Sequence, residues 1–374
     1  LPQNAFKNKA IVLSGKKSDL PSPDILAGRV YTDDGAYTEA DYTLNHQGNR
    51  SAWTNRGCDV EVADILSGNA LKFTQGCDLF PRTALFHEFV ERPNGNWDIA
   101  PIERTSNLWY LVSDQKKPSC AGLAAVNLDR NYIFDAFISK HLSPFYMTTP
   151  AKVLIPGKKV DGQWKAISAT DRALMNASTS YVFNQIEEDG NTPATLETYL
   201  EDTINIYGKL EKQNFTTKDW LVLSSASGSN PCAAYISLET FDRSRLVIDQ
   251  TLYWHLADSE EEAIYIVGLL NSNAMSDAIK DFQPEGGFGK RHIHTLPYKI
   301  IPEFDCEDAA HTQVVAKTQE LMHEWAVLCC DGEYANLLRP NSSSLNSRRR
   351  RQQSAIRSLG GYTEYEAACY AVLG

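Results

Sequence analysis

The sequence predicts an α+β fold, in which a mixed sheet-containing domain is followed by a mainly helical C-terminal segment. From about Ala70, short apolar runs alternate with turns, which is typical of strands. Helical spacing then dominates roughly the last seventy residues. With 374 residues, 43% of them hydrophobic, the chain is long enough to bury a sizeable core.

Strands are predicted where apolar residues form short runs between turn-forming residues. These runs are Thr83 to Val90, Leu108 to Val112, Val153 to Ile155, Leu246 to Ile248 and Thr251 to Leu256. Such short segments indicate several small sheets.

Helices are predicted where apolar side chains recur every three to four positions. One is expected over Asn131 to Leu142, another after Thr192-Pro193, and a long one over Val314 to Leu328. Ser259 with Glu262 forms a capping box that opens a helix running to about Leu270. This helix is expected to resume after Asn271-Ser272-Asn273, and Thr363 with Glu366 opens a final short helix.

Composition divides the chain into three parts. Residues 1–69 are rich in Gly, Asn, Asp, Ser and Pro and are predicted to be linker-like, residues 70–305 form the α+β domain, and residues 306–374 are helical. The serine- and arginine-rich stretch from Asn341 to Gln353 is predicted to be mobile. Because the chain begins Leu1-Pro2, we expect it to be a piece of a longer protein.

The charge is segregated along the chain. The formal net charge of −11 argues against a nucleic-acid partner, because phosphate neutralisation needs clustered basic residues. However, Gly286 to Ile300 carries Lys290, Arg291 and Lys299 without any acid, and Arg348 to Arg351 form a second basic run. Opposite faces can therefore carry opposite potentials.

The cysteines and apolar segments predict a cytoplasmic protein. The eight cysteines include no Cys-x-x-Cys pair, and we expect reduced thiols. The first thirty residues lack the basic, apolar, small-residue order of a secretory signal, and no apolar run reaches the roughly 18 residues that a membrane-spanning helix needs.

Several catalytic signatures are absent from the sequence. Gly286-Gly287-Phe288-Gly289-Lys290 resembles a phosphate-binding loop, but Arg291 stands where Ser or Thr is required. His292 and His294 have no third metal ligand at a telling spacing, so two polar residues on an exposed strand are favoured over a metal site. The sequence thus offers no self-contained active site, and we expect no metal and no catalytic residue in this chain.

The most informative feature of the sequence is the order of three stretches along the chain. The first, Gln75 to Thr83, contains Gly76 and Pro81-Arg82. The second begins Leu142-Ser143-Pro144-Phe145 and closes at Gly157. The third runs from Val247 to Tyr253, through Gly268-Leu269-Leu270-Asn271-Ser272, to Gly289-Lys290-Arg291-His292, Leu296-Pro297 and Pro302-Glu303-Phe304.

Together, in this order, the stretches resemble the C-terminal target-recognition (specificity) region of bacterial N6-adenine DNA methyltransferases of restriction-modification and related phage-defence systems. The resemblance covers about Phe73 to Trp325. It implies a site-specific DNA (adenine-N6) methyltransferase as the parent protein. Double-stranded DNA and an N-terminal methyltransferase domain are then the partners, and S-adenosylmethionine is the cofactor of the parent enzyme rather than of this chain.

The catalytic tetrapeptide of that family, Asp/Asn/Ser-Pro-Pro-aromatic, is not found here. Ser143-Pro144-Phe145-Tyr146 comes nearest, but phenylalanine replaces the second proline and no glycine-rich cofactor loop precedes it. We interpret this step as structural, and expect the catalytic domain to precede Leu1.

The resemblance implies that polar side chains of this chain contact DNA, chiefly in the major groove. The first candidates lie in the loop from Gln283 to His294, which brings Gln283, Lys290, Arg291, His292 and His294; a merely solvated loop is the alternative. Arg82 is a second candidate, unless it is buried against a carboxylate. The run of Arg348, Arg349, Arg350 and Arg351 either holds phosphates non-specifically or forms a solvated tail.

Two other functions remain open from the sequence. One is a protein-interaction subunit of a defence complex that uses the helix from Asp308 to Leu328 as its partner surface. The other is an enzyme of an unrecognised kind that uses His255, His292 or His294 with nearby carboxylates.

Overall fold

The computed structural model describes residues 71–115, 120, 122–160, 162–189, 195–226, 231–279, 296–330 and 332–374, and the backbone of four strands nearer the N-terminus. These four strands are β1 (Ile11–Leu13), β2 (Ile25–Tyr31), β3 (Tyr37–Gln47) and β4 (Arg50–Thr54).

Strands β1 to β4 form an antiparallel meander in sequence order. The linker-like character predicted for residues 1–69 is therefore wrong for this stretch. Tyr and Thr in β3 favour the extended backbone despite the polar composition. The turn signal Gly48-Asn49, directly between β3 and β4, was available in the sequence.

The remaining strands of the described residues are short and build five further sheets. They are β5 (Thr74–Gln75), β6 (Glu88–Glu91), β7 (Trp97–Ala100), β8 (Ala125–Leu128), β9 (Ile133–Phe137), β10 (Leu142–Ser143), β11 (Tyr146–Met147), β12 (Ala151–Leu154), β13 (Gly157–Val160), β14 (Gln163–Ala166), β15 (Trp220–Ser225), β16 (Ala233–Ser237), β17 (Leu246–Ile248) and β18 (Leu252–Ala257). The sheets have the orders β6-β7-β8, β12-β9-β17 and β16-β15-β18-β5, with the pairs β10-β11 and β13-β14. Among these described strands, the pairings are antiparallel except that of β17 with β9.

The helices concentrate in the C-terminal part. They are α1 (Arg82–Leu85), α2 (Ala169–Leu174), α3 (Ala177–Glu188), α4 (Leu196–Thr198), α5 (Glu260–Asn271), α6 (Asn273–Ile279), α7 (Leu296–Ile300), α8 (Ala309–Cys329), α9 (Gly332–Leu338), α10 (Leu345–Ile356) and α11 (Tyr362–Leu373). A π-helical turn over Tyr199–Ile204 follows α4 directly.

The α+β fold class and the helical C-terminal segment are confirmed, as are the strands matching β12, β17 and β18 and the helices matching α5, α6, α8 and α11. Ser259 caps α5 as predicted, since its hydroxyl accepts the N–H of Glu262 at 3.1 Å.

Three predicted elements are wrong. The expected strand from Thr83 begins as helix α1, and Trp109–Leu111 forms a 3-10 turn rather than a strand. The expected helix over Asn131 to Leu142 is largely strand β9. Strand β9 lies between β12 and β17 and is buried on both faces, so its continuous apolar run mimics a buried helix.

The apolar side chains that the structure describes form three clusters. In the first, α5 is buried along residues 263–270 and packs with α8 and α11 against the sheet of β15. The second lies beneath β6 to β9 and includes α3, and the third joins β9 and β17 to β15 and β18. In the part of the chain with described side chains, the cysteines form no disulfide. No helix of that part has the length and apolar character to cross a membrane.

Candidate nucleic-acid interface

The first and third motif stretches lie side by side. The Cys77 N–H donates to the Ile248 carbonyl at 2.8 Å, and the Gln250 N–H donates to the Cys77 carbonyl at 2.7 Å. A β-carbon on Gly76 would stand 2.3 Å from the carbonyl oxygens of Ile248 and Asp249. Only glycine permits this approach of the two backbones. The motif glycine thus has a packing role.

Arg82 forms an internal ion pair. Its Nη2 lies 3.1 Å from Oδ1 of Asp249, and the two side chains are 16% and 2% exposed. The same carboxylate oxygen accepts the N–H of Thr251 at 3.0 Å. Of the two interpretations open from the sequence, the carboxylate partner is the one observed, so we do not assign Arg82 to DNA.

The second and third motif stretches meet at Ala233, on the edge strand β16. The Ala233 carbonyl accepts the Phe145 N–H at 2.9 Å and the Asn271 Nδ2 at 2.8 Å. The Ala233 N–H donates to the Asn271 Oδ1 at 3.0 Å. The Asn271 amide therefore pairs with the strand edge as another strand would, and it ties the end of α5 to the Pro144-Phe145 step.

The surroundings of the Ser143-Pro144-Phe145-Tyr146 step agree with a structural role. The cavity beside Pro144 and Phe145 has a volume of only about 20 Å³, which is room for little more than one water. Ser143 is fully buried, and its hydroxyl accepts Nε2 of Gln352 at 2.8 Å. The side chains of Ser143, Pro144 and Phe145 are taken up by packing, whereas the Tyr146 ring is 40% exposed.

Gly268, in the same motif as Asn271, allows two helices to approach closely. A β-carbon there would lie 2.2 Å from the Thr318 hydroxyl of α8. The Tyr365 hydroxyl of α11 donates to the Gly268 carbonyl at 2.6 Å. Ser272 then caps α6 by accepting the Met275 N–H at 3.0 Å. This motif joins four helices.

The arginine run is helical, whereas mobility was predicted. Ser344 caps α10 through the Ser347 N–H, and Arg348 is 1% exposed. The Arg348 guanidinium donates to the carbonyls of Arg339, at 3.0 Å, and of Lys140. Burial, followed by the neighbouring Arg349, lowers the pKa of Arg348 to about 10. Arg348 is thus an internal clamp and has no surface for a phosphate.

The other arginines of this helix differ in their surroundings. Arg349 is half-buried and donates to the Ser139 carbonyl at 2.9 Å. Arg350 and Arg351 are exposed, and so is Arg357, which donates to the Asn273 Oδ1 at 2.9 Å. Two cations of the run therefore remain at the surface.

The loop from Gln283 to His294 lies outside the described residues, including Lys290, Arg291 and His292. The structure does describe the helices on either side of it. Ile279, at the end of α6, and Leu296, at the start of α7, are both buried in the first apolar cluster. Both anchor points thus belong to the core.

Comparison with known proteins gives distant structural similarity only. No family model matches the chain, and no curated protein matches its sequence. The Type IIL restriction-modification enzyme MmeI, solved in complex with DNA, is similar over 94% of this chain and 41% of that protein, with a TM-score of 0.44 and 11% identity. The type IIG restriction endonuclease BpuSI is similar over 82% of this chain and 31% of that protein, with a TM-score of 0.33 and 11% identity. The chain therefore spans less than half the length of either structure.

His255, a candidate for an unrecognised enzyme, sits in a closed setting. Its Nε2 is 3.7 Å from Oε1 of Glu262, and both side chains are 13% exposed. Its ring stacks on Phe73 with centroids 5.3 Å apart. Across the described side chains, no group of His, Cys, Asp and Glu is placed to hold a metal ion.

Three polar residues with large structural roles were not singled out from the sequence. Asp249 and Asn271 stood inside the quoted motifs without a role, and Gln352 stood in the arginine-rich stretch. For Asn271, the signal was a polar residue at the end of an otherwise apolar helix. For Gln352, the partners are Ser143 and the Leu337 carbonyl, which local spacing does not reveal.

Proposed function

We propose that this chain is the DNA-target-recognition part of an N6-adenine DNA methyltransferase of a restriction-modification or related phage-defence system. It holds duplex DNA against a catalytic domain elsewhere in the parent protein, and that domain binds S-adenosylmethionine and transfers the methyl group. The proposed role of this chain is therefore to select the target sequence and to hold the DNA.

One observation carries the proposal: the motif stretches of the resemblance, far apart in sequence, contact one another in space. Arg82 and Asp249 are 167 positions apart and form an ion pair. Phe145 and Asn271 share the Ala233 carbonyl. Short motif matches that arose by chance are not expected to lie in contact in the folded chain. The contacts therefore favour a scaffold shared with the family.

The same contacts imply that base reading is done by other residues. Arg82, Asp249 and Asn271 are engaged inside the scaffold, and we therefore take the loop from Gln283 to His294, which includes the Gly289-Lys290-Arg291-His292 part of the third stretch, as the proposed reader. There Lys290, Arg291, His292 and His294 supply donors for guanine edges and phosphates in the major groove. Ile279 and Leu296, which flank this segment, are both buried in the first apolar cluster.

Arg350 and Arg351 are the proposed phosphate contacts of the helical segment. They are exposed on α10, while Arg348 below them holds the helix in place. Contacts of this kind add salt-dependent affinity and no sequence preference.

The reader is tested in the parent protein by replacing Lys290 and Arg291 with alanine. We expect site-specific adenine methylation to be lost while binding of S-adenosylmethionine is unchanged. Lys299→Ala, at an exposed position of α7, is the matched control and should methylate normally. An unaltered methylation pattern in the double variant would reject the loop as reader.

The function itself is tested by sequencing N6-methyladenine in cells that express the parent protein as their sole adenine methylase. We expect one short sequence to be methylated, and we expect it to change when residues 70–305 are exchanged for those of a related enzyme. Absence of N6-methyladenine, or an unchanged target after the exchange, would reject the proposal.

A further inference from the structure

A cleft of about 410 Å³ lies where β9, β13, α2 and two 3-10 turns come together. None of its lining residues belongs to the quoted motifs. Its charged lining consists of three basic side chains, Lys158, Lys159 and Arg245, and two carboxylates, Asp129 and Asp171. The lining therefore carries one positive charge in excess, on a protein whose net charge is −11.

Both carboxylates are already satisfied. Asp171 pairs with Lys158 and accepts the Ser168 N–H at 2.9 Å. Asp129 accepts the Asn131 N–H at 2.9 Å, as the cap of a 3-10 turn. Neither carboxylate forms a salt bridge with the remaining cations of the cleft.

Of the three cations, Lys159 has no hydrogen-bonding partner among the described residues. The Lys158 ammonium is held by Asp171, and the Arg245 guanidinium donates to the Arg130 and Ile133 carbonyls through Nη2 alone. Within the described part of the chain, Lys159 has no carboxylate within salt-bridge distance, and its Nζ lies 6.0 Å from the centroid of the Trp164 ring. Its three N–H donors are therefore unclaimed by any described side chain.

The Lys159 ammonium is partly removed from water. Burial lowers the pKa of Lys159, although Glu211 and Asp242 oppose the shift. A partly desolvated ammonium gains more from an anion than a fully hydrated one does.

We propose that the cleft binds one phosphate group, with Lys159 as its principal donor, and that the group is a phosphodiester of the bound DNA. The exposed Asn131 at the rim supplies further amide donors. In this form the inference rests on the proposed function. A free mononucleotide carries the same chemistry, and the experiment separates these two sources.

The DNA source is tested by measuring the affinity of the parent protein for duplex DNA against salt concentration. Because each phosphate contact contributes about 0.9 to the slope of log K against log salt, Lys159→Gln should lower that slope by about 0.9 for every DNA sequence. Lys165→Gln, at an exposed position of the paired strand β14, should leave it unchanged. Lys159→Arg keeps the charge and should retain the slope.

The second source is tested by calorimetric titration of the same proteins with deoxyadenosine monophosphate and with inorganic phosphate. Tight binding of the nucleotide that Lys159→Gln abolishes, with an unchanged DNA slope, would replace the phosphodiester by a free nucleotide. If Lys159→Gln alters neither measurement, the phosphate site is refuted. A parent protein that binds no DNA would refute the proposed function, and the titration would still decide whether the cleft binds phosphate.

Discussion

The buried pair of Arg82 and Asp249 gives the sharpest test of the scaffold interpretation. Arg82→Met keeps much of the apolar volume but removes the positive charge 3.1 Å from a carboxylate that is only 2% exposed. Breaking a buried pair from one side destabilises a protein by about 3–5 kcal/mol, because the remaining charge is left desolvated. We expect a loss of this size in the free energy of unfolding, which is a large part of the roughly 5–15 kcal/mol of a typical domain.

The measurement is urea unfolding of the wild-type protein and of Arg82→Met, Asp249→Asn and the double variant. The double variant should recover part of the loss, since the unpaired charge is gone. Arg92→Met is the matched control: its ion pair with Asp98 is shorter, at 2.6 Å, but the side chains are 41% and 31% exposed. An exposed pair contributes about 0–1 kcal/mol. If Arg82→Met lowers the free energy of unfolding no more than Arg92→Met does, the internal ion pair of Arg82 does not stabilise the fold as described above.

Three further perturbations test the same scaffold. Gly76→Ala places a methyl group 2.3 Å from the Asp249 carbonyl oxygen and should cost about 1–3 kcal/mol of unfolding free energy in urea; an unchanged midpoint would contradict the close approach. Asn271→Ala leaves the Ala233 N–H without its partner and should cost about 1–3 kcal/mol, and exchange of that amide hydrogen should accelerate measurably. Burial, followed by Arg82 and Arg348, lowers the pKa of His141 to about 3. As the pH falls from about 7.5 to about 5.5, the unfolded chain therefore binds a proton at this histidine and the folded chain does not. The free energy of unfolding should fall by about 1.4 kcal/mol over this range. His141→Gln should remove that part of the pH dependence, and an unchanged difference between the two pH values would contradict it.

Local sequence patterns predicted those elements whose burial has a simple period. Helix α8 buries Val314, Thr318, Leu321 and Trp325 on one face, and that spacing is visible in the sequence. Strand β9 lacks such a period because side chains of the second and third apolar clusters bury both of its faces. Its apolar run therefore predicted burial correctly, but it predicted a helix where the structure has a strand.

The arginine run shows a different limit. Ser344 as an N-cap was a helix signal that composition obscured. The partner that buries Arg348, the Lys140 carbonyl, lies 208 positions away, and no local pattern reports such a contact. The Lys159 cleft was missed for the same reason, because its lining comes from segments that only the fold brings together.

Under the proposed function, substitutions of the described scaffold residues and substitutions in the proposed reading loop have different expected effects. Changes at Gly76, Arg82 or Asn271 act on packing, backbone approach and internal ion pairs, so they should lower stability and weaken binding to every DNA sequence alike. Changes at Lys290 or Arg291 should instead leave the unfolding free energy nearly unchanged and alter which sequence is methylated, because a loop contact is made only when DNA is bound. If a substitution at Gly76, Arg82 or Asn271 shifted the methylated sequence at unchanged stability, these scaffold residues would themselves be readers, and the division between scaffold and reading loop would fail.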